Sequence, residues 1–393
     1  MNNTKPELTI ISQYLLGGVP SFHRNMLANM PQNNFEIKVI YLNPDFEEFT
    51  KSVEVNKNSN DVIFNYNDKK QFKLAHELSE NISSKKGALV ANFREELFSL
   101  YLFPKPSKTI YFICHDDSFI PLVKKYHYII DIFITHNYTV YEAIQEMLKN
   151  RKEHIFFIPH GVNMPSLTRA ENLDKPLNIV FLARHHVLKG IYDIPIINKK
   201  LVEKNIRVEW TILGNGNERE KFMEEVKTMP NFKFAIPDSN EEVLEILAKN
   251  DVYILPSRKD GLPVSLLEAM SVGCVPVISN FSEGIKKVVT PQIGYVLEVG
   301  NNDLFAEAIC NLHINRNELE LKSKNARNEI KNEYDIKIRA KQYFDLYENY
   351  ITLKNTNHKS GFVSILANIY YFLELYNVKN KLFAIKNKIK FLS

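Results

Sequence analysis

The sequence predicts an α/β protein with two parallel-sheet domains in tandem, and three observations carry that prediction. Short apolar, β-prone runs alternate with helical patterns in two separate series, the signature of βαβ units and parallel sheets. At 393 residues the chain is long enough for two domains, each with its own core. Between the series lies Phe156–Pro176, a short strand and then HGVNMPSLTRAENLDKP, a polar run with two prolines that reads as a linker.

The first series opens with a strand over Leu8–Ile11, the turn Gly17-Gly18 and a helical pattern through Phe22, Met26 and Met30. A strand over Glu36–Leu42, a polar stretch rich in Asn, Asp and Lys, and a helix over Phe72–Leu78 follow. Ala88–Asn92, Thr109–Cys114 and Ile129–Thr135 are further buried strands, the last ahead of a helix over Val140–Lys149. The second series begins at Asn178, with strands NIVFLA, VEWTILG, FKFAI, DVYILP, VPVIS and GYVLEV and helices between several of them. The chain contains no internal repeat.

The most informative stretch is Asp251–Gly273, DVYILPSRKDGLPVSLLEAMSVG. Val252–Leu255 form a strand that stops at Pro256-Ser257, and Gly261 supplies a turn. Pro263 suits the first turn of a helix, where a missing N–H costs little. Leu266, Leu267 and Met270 recur at helical spacing, and Gly273 is placed to end the helix. A helix start after a strand is an anion site, because its first N–H groups lack partners and the dipole favours negative charge. Asp260 and Glu268 bracket that site. An ordinary strand–helix unit with two solvated acids would show the same pattern.

Composition is that of a soluble globular protein. Cys114, Cys274 and Cys310 lie in apolar surroundings without CxxC spacing, which fits a reduced compartment and suggests neither zinc nor a disulfide framework. The N-terminus lacks the basic-then-apolar run of a signal peptide, and no segment approaches the roughly 20 apolar residues of a membrane span. A cytoplasmic location is expected. The net charge of +4 is uneven: from Lys354 onward seven lysines face Glu374 alone, a net of +6, so the first 353 residues carry +4 − 6 = −2. A basic tail on a near-neutral body argues against nucleic acid and for a surface-contacting appendage.

Ligands of open parallel sheets bind outside the carboxyl ends of the strands. Gly17-Gly18 follows the first strand, where glycine allows close approach to the backbone. Arg184 and Lys189, in ARHHVLKG, follow strand Ile179–Ala183 and suit a diphosphate through forked and point-charge contacts. Gly214 and Gly216 open a helix in ILGNGNERE, but without the third glycine and the later acidic residue of a nicotinamide site. His115 ends the strand TIYFIC, placed to hydrogen-bond a substrate or orient a reacting group. His136, His160, His185 and His186 are further candidates, without metal-binding spacing. There is neither a GxxxxGK[ST] phosphate loop nor a GxSxG elbow.

Together and in order, these pieces resemble the retaining GT-B glycosyltransferases of the large bacterial polysaccharide and lipopolysaccharide family (glycosyltransferase family 4, glycosyl transferases group 1). The resemblance covers about Leu8–Tyr350. LLGGVPSFHRNM resembles the family's glycine loop, IPHGVN its interdomain IPNGVD and LARHHVLKG its GR(x4)KG motif with alanine for the first glycine. ILGNGNERE resembles GDGPE, and PSRKDGLPVSLLEAMSVGCVPVIS resembles PSxxEGFPLxxLEAMAxGxPVVA almost throughout.

The resemblance implies a GT-B fold, two Rossmann-like domains facing a central cleft. Residues 1–168 would form an acceptor domain and 169–332 a nucleotide-sugar domain. A C-terminal helix over 333–353 would pack back on the first domain, ahead of a basic amphipathic helical tail over 354–393. Arg184 and Lys189 would hold the donor diphosphate, with Gly214 beside them. Glu268 would accept hydrogen bonds from the ribose, and Asp260 would contact the hexose. The backbone of Gly261, Leu262, Pro263 and Val264, and of Gly17 and Gly18, would surround sugar and phosphates. His115 would correspond to the N-domain histidine near the reacting carbon. Asp260 departs from the family's glutamate; one methylene shorter, it points to a different donor sugar or to weakened catalysis, and the presence of Arg184, Lys189 and Glu268 favours the former.

The implied reaction moves a hexose from a nucleotide-diphosphate sugar to an acceptor hydroxyl with retention, and needs neither cofactor nor metal. The acceptor would be a glycan or lipid-linked glycan of capsule, lipopolysaccharide or lipid-linked oligosaccharide synthesis. The alternatives are a non-catalytic GT-B subunit or glycan-binding partner, and a GT-B sugar epimerase; a phosphorylase would need a cofactor-lysine setting that is not found. In the tail, Phe362–Tyr376 keep an apolar helical face and lysines follow, a pattern for an anionic inner-leaflet surface or for packing on the body.

Overall fold

The computed structural model describes residues 5–14, 18–44, 60–66, 69–170, 176–282 and 284–354. It divides into two compact units. The first comprises Met1–His136, Val140–Ile158 and the chain from Ala340; the second comprises Asn137–Thr139 and Pro159–Arg339.

The first unit carries β1 (Glu7–Gln13), β2 (Glu36–Asn43), β3 (Val62–Asn65), β4 (Gly87–Ala91), β5 (Lys108–Cys114), β6 (Ile132–Thr135) and β7 (Ile155–Phe157). Its helices are α1 (Gly18–Ala28), α2 (Gln71–Asn81), α3 (Arg94–Leu102), α4 (Ile120–Tyr126) and α5 (Tyr138–Met147). All seven strands are parallel, in the order β3-β2-β1-β4-β5-β6-β7. Leu8 of β1 lies between Ile37 of β2 and Ala88 of β4, so the strand order reverses at β1. Completely buried β4 and β5 explain their unbroken apolar sequences, since parallel strands are covered on both faces. Edge strand β3, four residues with two exposed, gives no such run, and the polar pattern around it conceals it.

The second unit repeats the plan with β8 (Leu177–Leu182), β9 (Val208–Leu213), β10 (Phe232–Ala235), β11 (Val252–Leu255), β12 (Val275–Ser279) and β13 (Tyr295–Leu297). Its helices are α6 (Asp193–Glu203), α7 (Arg219–Val226), α8 (Asn240–Leu247), α9 (Val264–Val272), α10 (Ile285–Val288), α11 (Asn302–Ile314) and α12 (Arg316–Glu329). The parallel order is β10-β9-β8-β11-β12-β13, with the reversal between β8 and β11. Both sheets therefore have Rossmann order, and each has its ligand-accepting crevice at the carboxyl ends of the two strands flanking the reversal.

At the opposite, amino ends of β8 and β11 sits a buried polar knot that the sequence reading passed over. Arg169 Nη1 donates to Asp251 Oδ1 at 2.7 Å, and Asp251 Oδ2 accepts from the Asn178 amide at 2.9 Å. Breaking such a buried pair costs about 3–5 kcal/mol by leaving a charge unpartnered. Asp251 is structural.

The first unit ends at Ile158, ten residues short of the expected 168. Residues just beyond are pinned within the second unit: the Val162 amide donates to Tyr334 O and its carbonyl accepts from Ile336, both at 2.9 Å. Helix α13 (Ile336–Glu348) runs from there into the first unit, where Tyr347 stacks edge-on against Tyr111 at 5.1 Å and Tyr111 Oη donates to Leu346 O at 2.7 Å. The basic tail from residue 355 and Gly17 lie outside the described residues.

Candidate functional site

In the second unit, the loop after β8 is anchored to the loop after β11. Ser257 Oγ and the Arg258 amide both donate to Leu188 O, at 3.0 and 2.8 Å. Arg258 Nη2 donates to Asp193 Oδ1 at 2.9 Å. Gly190 ends the 3-10 turn Val187–Lys189 at φ +73°, and a Cβ there would lie 2.1 Å from Pro256 O. Only glycine fits that backbone-to-backbone approach. The seam brings Lys189 to Asp260: Nζ–Oδ2 is 2.5 Å, with both side chains half-buried.

Arg184, in the same loop, points into solvent, and among the described residues no hydrogen bond or ion pair engages it. It is available to a ligand. Gly214, after β9, has φ +110°, and a Cβ there would come within 2.4 Å of Ala183 O. Its glycine requirement thus comes from packing the β9 loop against the β8 loop.

Helix α9 follows β11. Pro263 is its N-cap, one position earlier than expected, with φ −65° and ψ 123°. A proline side chain has no acceptor, so it leaves the first amides of the helix, those of Val264 and Ser265, uncapped. Tyr253 Oη, buried on β11, meets Ser265 Oγ at 2.9 Å and sets the height of that first turn. Leu266, Leu267 and Met270 are fully buried, and Gly273 closes the helix at φ +98°. Gly261 and Leu262 form the approach. Gly261 has no positive φ, and a Cβ there would meet nothing closer than 3.6 Å, so the fold does not require glycine at this position.

Glu268, on the first turns of α9, accepts from Asn240 Nδ2 at 2.7 Å. The surrounding protein desolvates its carboxyl and pushes its pKa up to about 7, although the Asn240 bond opposes this. Asn240 opens α8, whose Ser239 N-cap accepts from the Glu242 amide at 3.1 Å. The S-x-x-E of Ser239-Asn240-Glu241-Glu242 is a capping-box signal that could have placed this helix start from sequence.

In the first unit the reversal of strand order sets Asn92 beside β1. Asn92 follows β4, is fully buried, and donates from Nδ2 to Ile11 O at 2.7 Å. Its Oδ1 is 2.9 Å from His115 Nε2 at the end of β5. Phe22 and Phe119 meet the His115 ring edge-on at 5.9 and 5.6 Å, and His136, after β6, lies 5.0 Å away between ring centres. His23 on α1 is buried with them; burial pushes its pKa down to about 3, opposed by the Asn92 side chain. Glu96 Oε1 accepts from the amides of Asn92 and Phe93, each at 2.6 Å, and burial raises its pKa to about 7. Gly18 is the first residue of α1. Asn92 and Glu96 carry no motif, which is why the sequence reading missed them.

Each unit therefore gathers its candidates at the carboxyl ends of its strands: Arg184, Lys189, Asp260, Gly261–Val264 and Glu268 in the second, His115 and Gly18 in the first. The second set offers Arg184, with no partner among the described residues, the paired Lys189, uncapped amides and an acceptor carboxyl, a constellation for an anionic, hydroxyl-bearing ligand.

Residues 166–329 match the profile of the family described as glycosyl transferases group 1. The UDP-Gal:alpha-D-GlcNAc-diphosphoundecaprenol alpha-1,3-galactosyltransferase of Escherichia coli is 26% identical over 215 residues, 51% of this chain and 55% of that protein. The putative colanic acid biosynthesis glycosyltransferase WcaL of E. coli K12 is 27% identical over 195 residues, 46% of this chain and 45% of that protein. The chain thus spans about half the length of these curated relatives. A glycosyltransferase structure from Rickettsia africae superposes with a TM-score of 0.69 at 16% identity, covering 88% of this chain and 99% of that one. The architecture is GT-B. Among the described residues no helix is long and apolar enough to cross a membrane.

Proposed function

We propose that this chain, whose residues 166–329 match the profile of the glycosyl transferases group 1 family, is a retaining glycosyltransferase that moves a hexose from a nucleotide-diphosphate sugar to an acceptor hydroxyl. One observation carries the proposal. Arg184, without a partner among the described residues, Lys189 and the uncapped start of α9 stand at the carboxyl ends of β8 and β11, the strands flanking the reversal. Positive groups so placed suit a diphosphate.

In the proposed reaction the bond from the anomeric carbon to the β-phosphate oxygen breaks, and its electron pair leaves with the nucleoside diphosphate. Arg184, Lys189 and the amides of Val264 and Ser265 stabilise that charge by preorganised electrostatics, which supports a reaction without a metal. The acceptor oxygen bonds to the same face of the anomeric carbon, and its proton passes to the departing phosphate. Glu268 receives the ribose hydroxyls, Asp260 the hexose, and Gly261–Val264 close around the sugar.

The names of the relatives support a glycan or lipid-linked glycan acceptor in bacterial surface-glycan synthesis. A cytoplasmic location, with the basic tail on the inner leaflet, is part of the same reading.

Thermal stabilisation screened with UDP-, GDP- and ADP-sugars, followed by product analysis with the radiolabelled donor that stabilises most, tests the proposal. Labelled sugar should appear on an acceptor with its anomeric configuration kept. Stabilisation by none of the donors would favour a non-catalytic subunit, and a rearranged free sugar would favour an epimerase.

A further inference from the structure

The geometry points to Asn240 as a positioning residue for Glu268: its side-chain amide holds one carboxyl oxygen, Oε1, and thereby presents the other, Oε2, to the hydroxyls of a bound ribose. The ribose role rests on the glycosyltransferase reading above; the coupling of Asn240 to Glu268 does not.

A glutamate side chain is long and freely rotating, and ordering it on binding costs affinity. On α9 the neighbours of Glu268, Leu267 and Ala269, are fully buried in the core, whereas Glu268 is only half-buried. Among the described residues its carboxyl is held by one hydrogen bond, from Asn240 Nδ2 to Oε1 at 2.7 Å. An ionised carboxylate can only accept, so the group that Asn240 turns towards it is the amide nitrogen. Oε2 has no hydrogen-bond partner among the described residues and keeps its lone pairs for a ligand.

The donor is itself fixed. Asn240 is the first residue of α8, and Ser239 Oγ caps that helix by accepting from the Glu242 amide at 3.1 Å. Glu242 Oε2 reaches back to accept from the Asp238 amide at 2.8 Å. Helix α8 packs against α9, and it follows β10 as α9 follows β11, so both helix starts lie on the carboxyl edge of one parallel sheet. Asn240 thus reaches Glu268 from the edge on which the donor is proposed to sit. The same bond opposes the burial that raises the Glu268 pKa, so it favours the ionised acceptor as well as its orientation. Tyr253 of β11 also feels the Glu268 charge; burial pushes its phenol well up, and it stays protonated while Glu268 titrates.

Calorimetry with UDP on the full chain at about pH 8, where Glu268 is mostly ionised, tests the inference. Asn240→Ala should weaken UDP binding about three- to tenfold, and Asn240→Asp, which sets a like charge against Glu268, should weaken it further. In a Glu268→Ala background Asn240→Ala should change the affinity less than about twofold, and UDP lacking both ribose hydroxyls should bind Asn240→Ala and the wild type within about twofold. Asn240 is exposed and the cap of α8 belongs to Ser239, so both variants are expected to fold. Unchanged UDP affinity in Asn240→Ala overturns the inference, and so does a loss that persists without Glu268 or without the ribose hydroxyls. Carboxyl-detected NMR of the isotope-labelled full chain reads the coupling without any nucleotide: the Glu268 titration should move to higher pH in Asn240→Ala, and an unmoved titration overturns the inference. A chain that shows this shift but binds no nucleoside diphosphate overturns the glycosyltransferase reading instead and leaves the coupling standing.

Discussion

Lys189 Nζ lies 2.5 Å from Asp260 Oδ2, although 71 residues separate them, so two residues expected to hold different parts of one ligand hold each other. The pair forms because the loop after β8 is stitched to the loop after β11 through Leu188 O, Ser257 and Arg258. In the proposed reaction a diphosphate at Lys189 would compete with Asp260 for the ammonium and free the carboxylate. Asp260 is thus the counter-ion of Lys189 and, in that proposal, a sugar contact.

Asp260→Asn should separate these roles. Removing the competing charge should tighten UDP binding by about two- to fivefold, in keeping with the about 0.2–1 kcal/mol of such pairs, while transfer falls. Calorimetry with UDP beside a transfer assay reads both. Unchanged UDP affinity would show that the pair does not restrain Lys189. Asp260→Glu, which restores the longer acid, should raise transfer or shift donor preference; if neither changes, Asp260 does not contact the sugar.

Arg184→Ala should weaken nucleoside diphosphate binding by about 10- to 100-fold, the loss of one or two charge-assisted hydrogen bonds. Folding stability should stay within about 0.5 kcal/mol, because the side chain is exposed and unpaired among the described residues. A denaturant titration beside the binding measurement distinguishes a ligand contact from a structural one.

The Glu268 carboxyl gives a pH dependence of definite sign. Its folded pKa is raised to about 7, above the ordinary 4.5, so the folded state binds its proton more tightly than the unfolded chain. The resulting stability is complete below about pH 4.5 and is lost as pH rises towards 7. Donor binding should run the other way, since only the ionised acid offers its full set of acceptors to ribose hydroxyls. Affinity for UDP should improve about tenfold more between pH 6 and 8 in the wild type than in Glu268→Gln, which corrects for titration of the ligand. Parallel pH profiles would remove Glu268 from the nucleotide contacts.

Gly190 and Gly261 should respond oppositely to alanine. At Gly190 the new Cβ meets Pro256 O at 2.1 Å in a left-handed backbone, so Gly190→Ala should cost about 1–3 kcal/mol on denaturation. At Gly261 the nearest atom is 3.6 Å away, so Gly261→Ala should fold normally and weaken donor-sugar binding alone. Equal stability loss in both would make Gly261 a fold glycine.

The alternation of strands and helices was legible because it is local. Each of β8 to β13 appears in the sequence as a β-prone run, and β11 and β12, buried at every position, are the most apolar, as parallel strands covered on both faces are. Edge strand β3, half exposed, was not legible, and neither was the division at Ile158, which depends on Val162 bonding to Tyr334 and Ile336.

By itself, the sequence determined that Arg184, Lys189, Asp260 and His115 stand at strand ends, because chain direction in a parallel sheet puts every strand-to-helix loop on one edge. Only the tertiary structure decided which side chains meet there. Lys189 with Asp260, Asn240 with Glu268 and Asn92 with His115 are pairings over 71, 28 and 23 residues. The first spans the reversal between β8 and β11, the second joins helices α8 and α9 and the third joins the ends of adjacent β4 and β5, and no local pattern records which distant side chain will occupy a hydrogen-bonding position.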